Sequence, residues 1–287
     1  MSMSTRSAPS LAGRRVLITG AARSIGAALA RRLQERGAHV AVAGLEPDLL
    51  AEVAASVDGP WWSCDVADRA QVEHAVDAAA EALGGLDVVV ANAGIAAQLP
   101  LVGGDPAIFE RTLEVNVLGS YYTLRAAGPH LSHPGGYALA VASLGAAVHL
   151  PLMGAYSASK AAVEALGNTL RQELRPTGAR VGVAYFAELD TDMTSRGFAT
   201  EAARTFLGGR TVTKVTPLTV GIDALERGIT RRSRIVVAPW WALPVLPVRM
   251  VAQPVVERVV RRRMAAALEI AREEKVELTT EQPDRVA

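Results

Sequence analysis

Residues 16–33 read VLITGAARSIGAALARRL, and this stretch decides the fold of the chain. Residues 16–19 are a short apolar run rich in β-branched side chains, which predicts a buried strand. Gly20 ends that run, and apolar residues then recur at helical spacing from Ile25 to Leu33. A strand, a tight glycine turn and an amphipathic helix therefore follow one another directly.

The same alternation of apolar strand and amphipathic helix continues along most of the chain. Further strands are predicted at residues 39–43, 61–64, 86–91, 137–142, 180–184 and 234–238, and further helices at residues 47–55, 69–83, 155–174 and 218–230, with another starting at Asp105 and Pro106. Strands that are continuous apolar runs are typical of a parallel sheet covered by helices on both faces. We therefore predict a single α/β domain built on a doubly wound, Rossmann-like parallel sheet.

The composition excludes several classes of protein. Half of the 287 residues are hydrophobic, and 30 Lys and Arg residues balance 29 Asp and Glu residues, so the chain is globular and has no overall basic charge for gripping nucleic acid. Cys64 is the one cysteine, which excludes an intrachain disulfide and a zinc cluster of cysteines. The start of the chain has no apolar signal-peptide core, and three prolines interrupt the apolar stretch at residues 235–248, which is too short for a spanning helix. We expect a cytoplasmic protein with a disordered lead-in at residues 1–10, no metal site and no transmembrane helix.

Ligands of a doubly wound sheet bind beyond the carboxyl ends of its strands. That rule selects Thr19 and Gly20, Gly44, Asp65, residues 92–94, Ser143 and residues 186–193. The glycine turn after the first strand lets the backbone approach a pyrophosphate, and the N-terminus of the following helix offers N–H donors to it. Because the turn does not match the G-x-G-x-x-G pattern, it indicates a dinucleotide site only together with other residues.

Tyr156 and Lys160 lie four residues apart, so on a helix they project from the same face. An ammonium near a phenol favours the phenolate and lowers a phenol pKa that is otherwise about 10. Such a phenol can act as a general acid or base near neutral pH. The pair also occurs by chance on exposed helices, so its meaning depends on the motifs around it.

Several motifs occur in the order in which one enzyme family carries them. They are TGAARSIG at residues 19–26, CDV at 64–66, NAG at 92–94, NVLG at 116–119, Ser143, and YSASK at 156–160. The chain thereby resembles a classical short-chain dehydrogenase/reductase across roughly residues 11–240, with Ser24 where the family's T-G-x-x-x-G-x-G turn has its central glycine. The resemblance implies a dinucleotide-binding and catalytic domain at residues 11–240. The strand–helix alternation lapses after Thr191, which suits a substrate lid near residues 191–215, and the composition changes at a C-terminal extension, residues 241–287.

The resemblance implies four catalytic residues, which are Asn116, Ser143, Tyr156 and Lys160. Tyr156 would pass a proton to or from the oxygen of a ketone or secondary alcohol while hydride moves to or from the nicotinamide. Ser143 would hydrogen-bond that oxygen, and Asn116 would hold a water molecule. Lys160 would hold the nicotinamide ribose and lower the pKa of Tyr156. Taken alone, Ser143 and Asn116 also suit capping and backbone hydrogen bonding.

The resemblance also implies a nicotinamide dinucleotide, NADP or NAD, as cofactor. The residues expected to bind it are Gly20, Arg23, Ser24, Ile25, Gly26, Gly44, Leu45, Glu46, Asp65, Val66, Asn92, Ala93, Gly94, Tyr156, Lys160 and Thr191. NAD-preferring members carry an aspartate after the second strand, where this chain has GLE at residues 44–46, while Arg23 is placed to meet a 2′-phosphate. The sequence favours NADP, although Glu46 would restore NAD preference if it reached a ribose hydroxyl.

The substrate pocket is expected between residues 144–155 and 188–213. Its members are Leu144, Val148, His149, Leu150, Leu152, Met153, Phe198, Phe206 and Leu207, which favour a bulky hydrophobic ketone or secondary alcohol. Phe186 and Ala187 replace the family's Pro-Gly, so the backbone near Thr191 is expected to take a different path. Glu188 is expected to be a solvated loop charge and His149 a loop residue without a catalytic role.

Two other functions stay open. A ketoreductase for carrier-bound acyl chains would need a basic docking patch, for which Arg231, Arg232 and Arg234 are candidates. A non-catalytic dinucleotide sensor on the same fold is disfavoured because the proton-transfer groups are all present. A homo-oligomer, dimer or tetramer, is expected from the family. The apolar, arginine-rich extension suits a pocket wall or oligomer packing, so contact with a membrane surface is not expected.

Overall fold

The computed structural model describes residues 10–198, 200–208 and 213–283. Within these residues, seven parallel strands form one sheet in the order β3-β2-β1-β4-β5-β6-β7. The strands are β1 (Arg15–Thr19), β2 (His39–Gly44), β3 (Trp61–Ser63), β4 (Val88–Ala91), β5 (Tyr137–Val141), β6 (Arg180–Phe186) and β7 (Ile235–Ala238). All seven are predicted by the sequence, and the doubly wound α/β fold is confirmed.

Helices cover both faces of the sheet. The described residues contain α1 (Ser24–Glu35), α2 (Pro47–Val57), α3 (Arg69–Leu83), α4 (Pro106–Leu113), α5 (Gly119–Leu131), α6 (Gly154–Glu173), α7 (Glu201–Leu207), α8 (Leu218–Arg231), α9 (Arg249–Val260) and α10 (Met264–Glu273). Asp105 begins α4 as predicted, since its carboxylate accepts a hydrogen bond of 2.8 Å from the backbone N–H of Ala107. The sequence does not predict the single π-helical turn that joins α4 to α5, nor the helices of the C-terminal extension.

The strands separate two apolar layers. On β1, Val16 and Ile18 face the layer formed with α1, α2 and α8, while Leu17 faces the layer formed with α3, α5 and α6. Successive side chains of a strand point to opposite faces, so a strand buried on both faces must be apolar at every position. This is the physical reason that the continuous apolar runs of the sequence are central strands.

β1 pairs with β2 on one side and with β4 on the other. The connections from these strands leave in opposite directions, which opens a crevice at the carboxyl ends of β1 and β4. The glycine turn follows β1, and the NAG segment at residues 92–94 follows β4. The fold therefore brings two of the predicted motifs to one crevice.

The C-terminal extension folds back onto the domain. Arg249 at the start of α9 binds Glu164 on α6, with 3.0 Å between Nη2 and Oε1. Beyond α10, the hydroxyl of Thr279 accepts a hydrogen bond of 3.2 Å from the backbone N–H of Ala96. No helix in the described ranges is long and apolar enough to cross a membrane. The lead-in at residues 1–9, and positions 199 and 209–212 of the predicted lid, lie outside the described residues.

Candidate active site

The glycine turn after β1 packs backbone against backbone. Gly20 has a φ of +64°, and a Cβ placed on it would lie 2.5 Å from the Cα of Ala93. A Cβ on Gly26 would lie 2.4 Å from the carbonyl oxygen of Gly20. The side-chain amide of Asn92 donates to that same oxygen at 3.0 Å and holds the turn in place. The first N–H groups of α1 therefore face the crevice without intervening side chains.

Ser24, which replaces the family's central glycine, keeps the glycine-like backbone. Its φ is +48°, in the left-handed region that costs a residue with a Cβ about 1–2 kcal/mol. Its hydroxyl lies 3.4 Å from Oδ2 of Asp192, beyond β6. The substitution therefore preserves the shape of the turn and brings a hydroxyl to the crevice.

Arg23 lies between two carboxylates. Its Nε donates to Oε2 of Glu46 at 2.9 Å, and a second nitrogen binds the other oxygen of Glu46. Its Nη1 lies 3.6 Å from Oδ2 of Asp192. Arg23, the residue predicted to bind a 2′-phosphate, therefore already has its charge neutralised by two acidic side chains.

Ser143, Tyr156 and Lys160 meet at the carboxyl end of β5. The Oγ of Ser143 accepts a hydrogen bond of 3.1 Å from the backbone N–H of Gly145. Tyr156 and Lys160 lie on the first turns of α6, and both side chains are buried. The ammonium of Lys160 is 5.8 Å from the centroid of the Tyr156 ring and donates to the carbonyl oxygen of Val141 at 2.9 Å.

Burial shifts both titrating groups towards their neutral forms. It raises the pKa of Tyr156, and hydrogen bonding with Ser143 lowers it by a smaller amount. It lowers the pKa of Lys160 from 10.5 to about 8. At neutral pH Tyr156 is therefore a protonated phenol, and Lys160 remains mostly an ammonium.

Asn116 lies in the π-helical turn Glu114–Leu118 and is fully buried. Its Oδ1 accepts from the backbone N–H of Ile95 at 2.8 Å, and its Nδ2 donates to the carbonyl oxygen of Ile95 and to Ser159, each at 2.9 Å. Asn116 does not line the cavity described below, but a Cβ on Gly94 would lie 3.2 Å from its Oδ1 and equally far from Lys160 Nζ. Asn116 thus ties the segment after β4 to α6.

Asp65 after β3 binds the guanidinium of Arg111, with Oδ2 and Nη2 2.6 Å apart. Arg111 also donates from Nε to Gln282 in the C-terminal tail at 3.0 Å. Burial, followed by the charges of Asp65 and Asp68, raises the pKa of the Cys64 thiol to about 12, so it stays protonated. The C-terminal tail therefore lines this end of the crevice, and the sequence does not predict its contact with Arg111.

The segment after β6 carries Glu188 and Thr191. Glu188 is half-buried, and its Oε2 accepts from the backbone N–H and hydroxyl of Thr213 at 2.7 and 2.9 Å. The expectation of a solvated loop charge is therefore wrong, because this carboxylate binds Thr213 at the far end of the predicted lid. Thr191 lines the cavity, and its hydroxyl lies 3.2 Å from that of Thr194.

One cavity of about 600 Å³ joins these groups. Among the residues expected to bind cofactor, it is lined by Gly20, Arg23, Ser24, Ile25, Gly44, Leu45, Glu46, Asp65, Val66, Asn92, Ala93, Gly94, Tyr156, Lys160 and Thr191. Gly26 lies behind the turn and lets it pack. In the described part of the chain, no cluster of three or more His, Cys, Asp or Glu side chains is placed to hold a metal ion.

The substrate end of the cavity is apolar but differs in part from the expectation. Leu144, Val148, Leu150, Met153 and Phe198 line it. Leu152, Phe206 and Leu207 do not, because they pack with α10 in a small separate core. His149 is exposed and does not line the cavity. The apolar character of these three residues indicates burial, but it does not reveal which element they pack against.

Several lining residues were missed by sequence reasoning. Those in the C-terminal extension are Trp241, Val245, Val248, Val251, Ala252, Val255, Val256, Thr279, Thr280 and Gln282. Ser157 on α6 also faces the cavity, and among the described residues its buried hydroxyl has no hydrogen-bond partner. Its place beside Tyr156 in the YSASK motif is a signal that could have identified it.

A sequence model of the family described as short chain dehydrogenase matches residues 14–202. The chain belongs to this family of oxidoreductases, which bind a nicotinamide cofactor.

Individual relatives add the following similarities. The chain is 35% identical over 202 residues to glycine betaine reductase of Emericella nidulans, a match that covers 68% of this chain but 16% of that protein. It is 35% identical over 177 residues to D-threitol dehydrogenase of Mycolicibacterium smegmatis, covering 60% of this chain and 68% of the relative. Among solved structures, a short chain dehydrogenase/reductase from Burkholderia phymatum in complex with NAD shares the fold, with a TM-score of 0.74 at 24% identity over 84% of this chain and 94% of that one.

Proposed function

We propose that the chain transfers hydride between a nicotinamide dinucleotide and a secondary alcohol or its ketone, with Tyr156 as the acid–base group. The observation that carries the proposal is that the glycine turn after β1 lines the same cavity as Ser143, Tyr156 and Lys160. The dinucleotide cradle and the groups able to move a proton therefore face one space. The resemblance to D-threitol dehydrogenase supports an alcohol as one of the two substrates.

The residues present fit a dinucleotide. At Gly20 the wall is bare backbone beside a helix N-terminus, which suits a pyrophosphate. At Gly94 the missing side chain leaves space next to the Lys160 ammonium. We assign Ser24, Ile25 and the turn to the pyrophosphate, Asp65 and Val66 to the adenine, Tyr156 and Lys160 to the nicotinamide ribose, and Thr191 to the carboxamide.

A bound nicotinamide gives hydride to a ketone or takes it from an alcohol. Tyr156 supplies the matching proton. Because burial raises its pKa, the phenol is protonated at neutral pH and can donate to a ketone oxygen. In the reverse direction the deprotonated form of Tyr156 takes the proton of the alcohol, and the ammonium of Lys160, 5.8 Å from the ring centroid, would favour that phenolate.

Ser143 orients the substrate oxygen. Its Oγ accepts from the backbone N–H of Gly145, and its hydroxyl donates to the carbonyl oxygen of Phe186 over a long distance of 3.4 Å. A substrate oxygen in the cavity would replace this weak acceptor. A hydrogen bond from Ser143 strengthens as negative charge builds on the substrate oxygen. Asn116 does not line the cavity, so we assign it a positioning role through Ile95 and Ser159.

The apolar lining favours a bulky hydrophobic ketone or secondary alcohol. Leu150, Met153 and Phe198 pack together beside Tyr156, and the ring of Phe198 meets the Tyr156 ring edge-on at 5.3 Å. A small polyol would leave these side chains against water, whereas an apolar substrate would cover them. The substrate is therefore expected to be recognised by its hydrocarbon part.

NADP is the preferred form of the cofactor in this proposal. Arg23 is the one guanidinium among the described residues that line the cavity. A 2′-phosphate would give Arg23 a doubly charged partner in place of Glu46. Glu46 has to turn away for this to happen, so the preference depends on the competition between the two anions.

The decisive experiment measures NADPH and NADH oxidation with a panel of bulky and small ketones. Tyr156→Phe should lower kcat by about 100-fold or more while leaving the nucleotide Kd nearly unchanged. Tyr122→Phe, a half-buried tyrosine outside the cavity, is the matched control and should keep full activity. Normal turnover by Tyr156→Phe would remove Tyr156 from the chemistry, and absence of nucleotide binding would overturn the proposal.

The position of the candidate docking patch argues against a ketoreductase for carrier-bound acyl chains. Arg231, Arg232 and Arg234 precede β7, and Arg180 beside them begins β6. They therefore lie at the amino ends of the strands, whereas the cavity lies at the carboxyl ends. A carrier bound there would be on the wrong edge of the sheet to deliver its chain. The predicted cytoplasmic location and homo-oligomeric state stay predictions.

A further inference from the structure

The outward face of α9 is apolar. Met250, Val251, Val255 and Val259 are 84%, 70%, 61% and 74% exposed. The three valines recur at every fourth position, so they form a stripe along one side of the helix. A continuous exposed stripe of this kind marks an interaction surface.

The same face carries positive charge. The helical spacing places Arg258 on the same side of α9 as the apolar stripe. Arg261 and Arg262 come directly after the end of α9. All three arginines are exposed, and among the described residues none has an ion-pair partner. Glu257 is the one acidic residue in α9 and the arginine-rich turn after it. The stripe and these arginines together form what we name the α9 face.

The cavity opens beside the α9 face. Val248, Val251 and Val255 line the cavity and are also at least half exposed to solvent. A substrate that reaches the α9 face therefore reaches the mouth of the cavity. The ion pair between Arg249 and Glu164 fixes α9 to α6, the helix that carries Tyr156, so the mouth has a defined position relative to the site.

We propose that the α9 face rests on an anionic membrane surface, from which an apolar alcohol or ketone enters the cavity directly. The apolar side chains of such a helix enter the boundary between lipid headgroups and acyl chains, and its arginines bind the anionic headgroups. Substrate entry from the membrane rests on the proposed function, whereas the docking itself does not. Exposure of the stripe reverses the expectation from sequence, because the part of the extension that forms a pocket wall also stays open to solvent at Val251 and Val255.

A second copy of the chain fits this face less well. It would present the same three arginines and no exposed acid except Glu257, so a dimer made through the α9 face would bury guanidiniums without carboxylate partners. Anionic lipid supplies the missing counterions.

The test is co-sedimentation of the purified full chain with two kinds of vesicle, phosphatidylcholine alone and phosphatidylcholine containing phosphatidylglycerol. We expect binding to the anionic vesicles that weakens with salt. Arg258→Gln/Arg261→Gln/Arg262→Gln should weaken it by about tenfold or more, since each arginine near an anionic surface contributes measurably. The matched control removes three exposed arginines on other elements, Arg69, Arg175 and Arg227, and should bind as the parent does.

A second variant, Met250→Gln/Val259→Gln, tests the apolar part with residues that do not line the cavity. It should also lose vesicle binding while its mass in light scattering stays that of the parent. A changed mass with unchanged vesicle binding would make the α9 face a contact between copies and overturn the proposal. The proposal would also be overturned if the parent did not bind anionic vesicles, or if the arginine variant bound them as tightly as the parent.

Substrate entry has a separate readout. The arginine variant should keep its turnover of a short water-soluble ketone but lose turnover of a long-chain ketone held in anionic vesicles. Tyr156→Phe should lose both activities and still bind vesicles. Failure of the proposed chemistry and failure of membrane docking are therefore distinguished by different variants.

Discussion

Arg23 and Glu46 form an ion pair in which Nε of Arg23 lies 2.9 Å from Oε2 of Glu46. Arg23 belongs to the turn after β1, and Glu46 follows β2, so the pair closes the place where the adenosine ribose of a dinucleotide is expected. Asp192 adds a second carboxylate at 3.6 Å. A 2′-phosphate must compete with both acids for one guanidinium, and this competition sets the cofactor preference.

Glu46→Gln should raise affinity for NADPH by about tenfold, because it removes the anion nearest to the 2′-phosphate while keeping the size of the side chain. Affinity for NADH should stay level or fall. Arg23→Gln should have the opposite effect on NADPH. Fluorescence titration of each variant with both nucleotides measures the two dissociation constants. Weaker NADH binding by Glu46→Gln without any gain for NADPH would identify Glu46 as a ribose ligand and the protein as NAD-preferring.

Ser24→Gly should stabilise the protein. Ser24 holds a φ of +48°, and glycine adopts that conformation without steric cost. Part of the gain is lost to the greater freedom of glycine in the unfolded chain, so a net increase of about 0.5–1 kcal/mol in the free energy of unfolding is expected. Urea unfolding measures it. Ser24→Ala keeps the Cβ and serves as the control, and an equal gain in that variant would attribute the effect to the hydroxyl instead of the backbone.

Local sequence patterns predict the strands and most of the helices because burial on both faces requires apolar residues at every position. They also place the YSASK motif and the glycine turn at one edge of the sheet. They do not predict that Phe206 packs against α10 instead of the substrate, or that Gln282 returns to Arg111, since such pairings join segments far apart in the chain. The π-helical turn around Asn116 likewise depends on the tertiary partners of its side chain and not on helical spacing.

Lys160→Met should stabilise the nucleotide-free protein at neutral pH. Burial lowers the pKa of Lys160 from 10.5 to about 8, so between these values the unfolded chain binds more protons than the folded one, and stability rises with pH. Below about pH 8, burying the Lys160 ammonium lowers the free energy of unfolding by its full amount, about 3 kcal/mol. Loss of the hydrogen bond to Val141 offsets about 1 kcal/mol of the gain.

The pH dependence is the specific readout for Lys160. Urea unfolding of the parent and Lys160→Met should show a difference in free energy that is largest below pH 8 and shrinks as the pH approaches 10.5. Lys275→Met, at an exposed lysine, should show no such trend. A difference that is constant with pH would mean that Lys160 is not buried as an ammonium in the folded chain.

Glu274→Ala should loosen α7, which lies within the predicted lid. The carboxylate of Glu274 accepts from the backbone N–H groups of Glu201 and Ala202 at 2.7 and 3.1 Å, so the C-terminal tail caps the first turn of that helix. Thr200 caps the N–H of Ala203 in addition, so the helix should persist with a loss of about 1 kcal/mol in local stability. Hydrogen exchange should therefore be about fivefold faster at the amides of α7 and unchanged in the strands. Glu273→Ala, next to it but exposed, is the matched control, and equal acceleration in both variants would show that the tail does not hold the lid through this carboxylate.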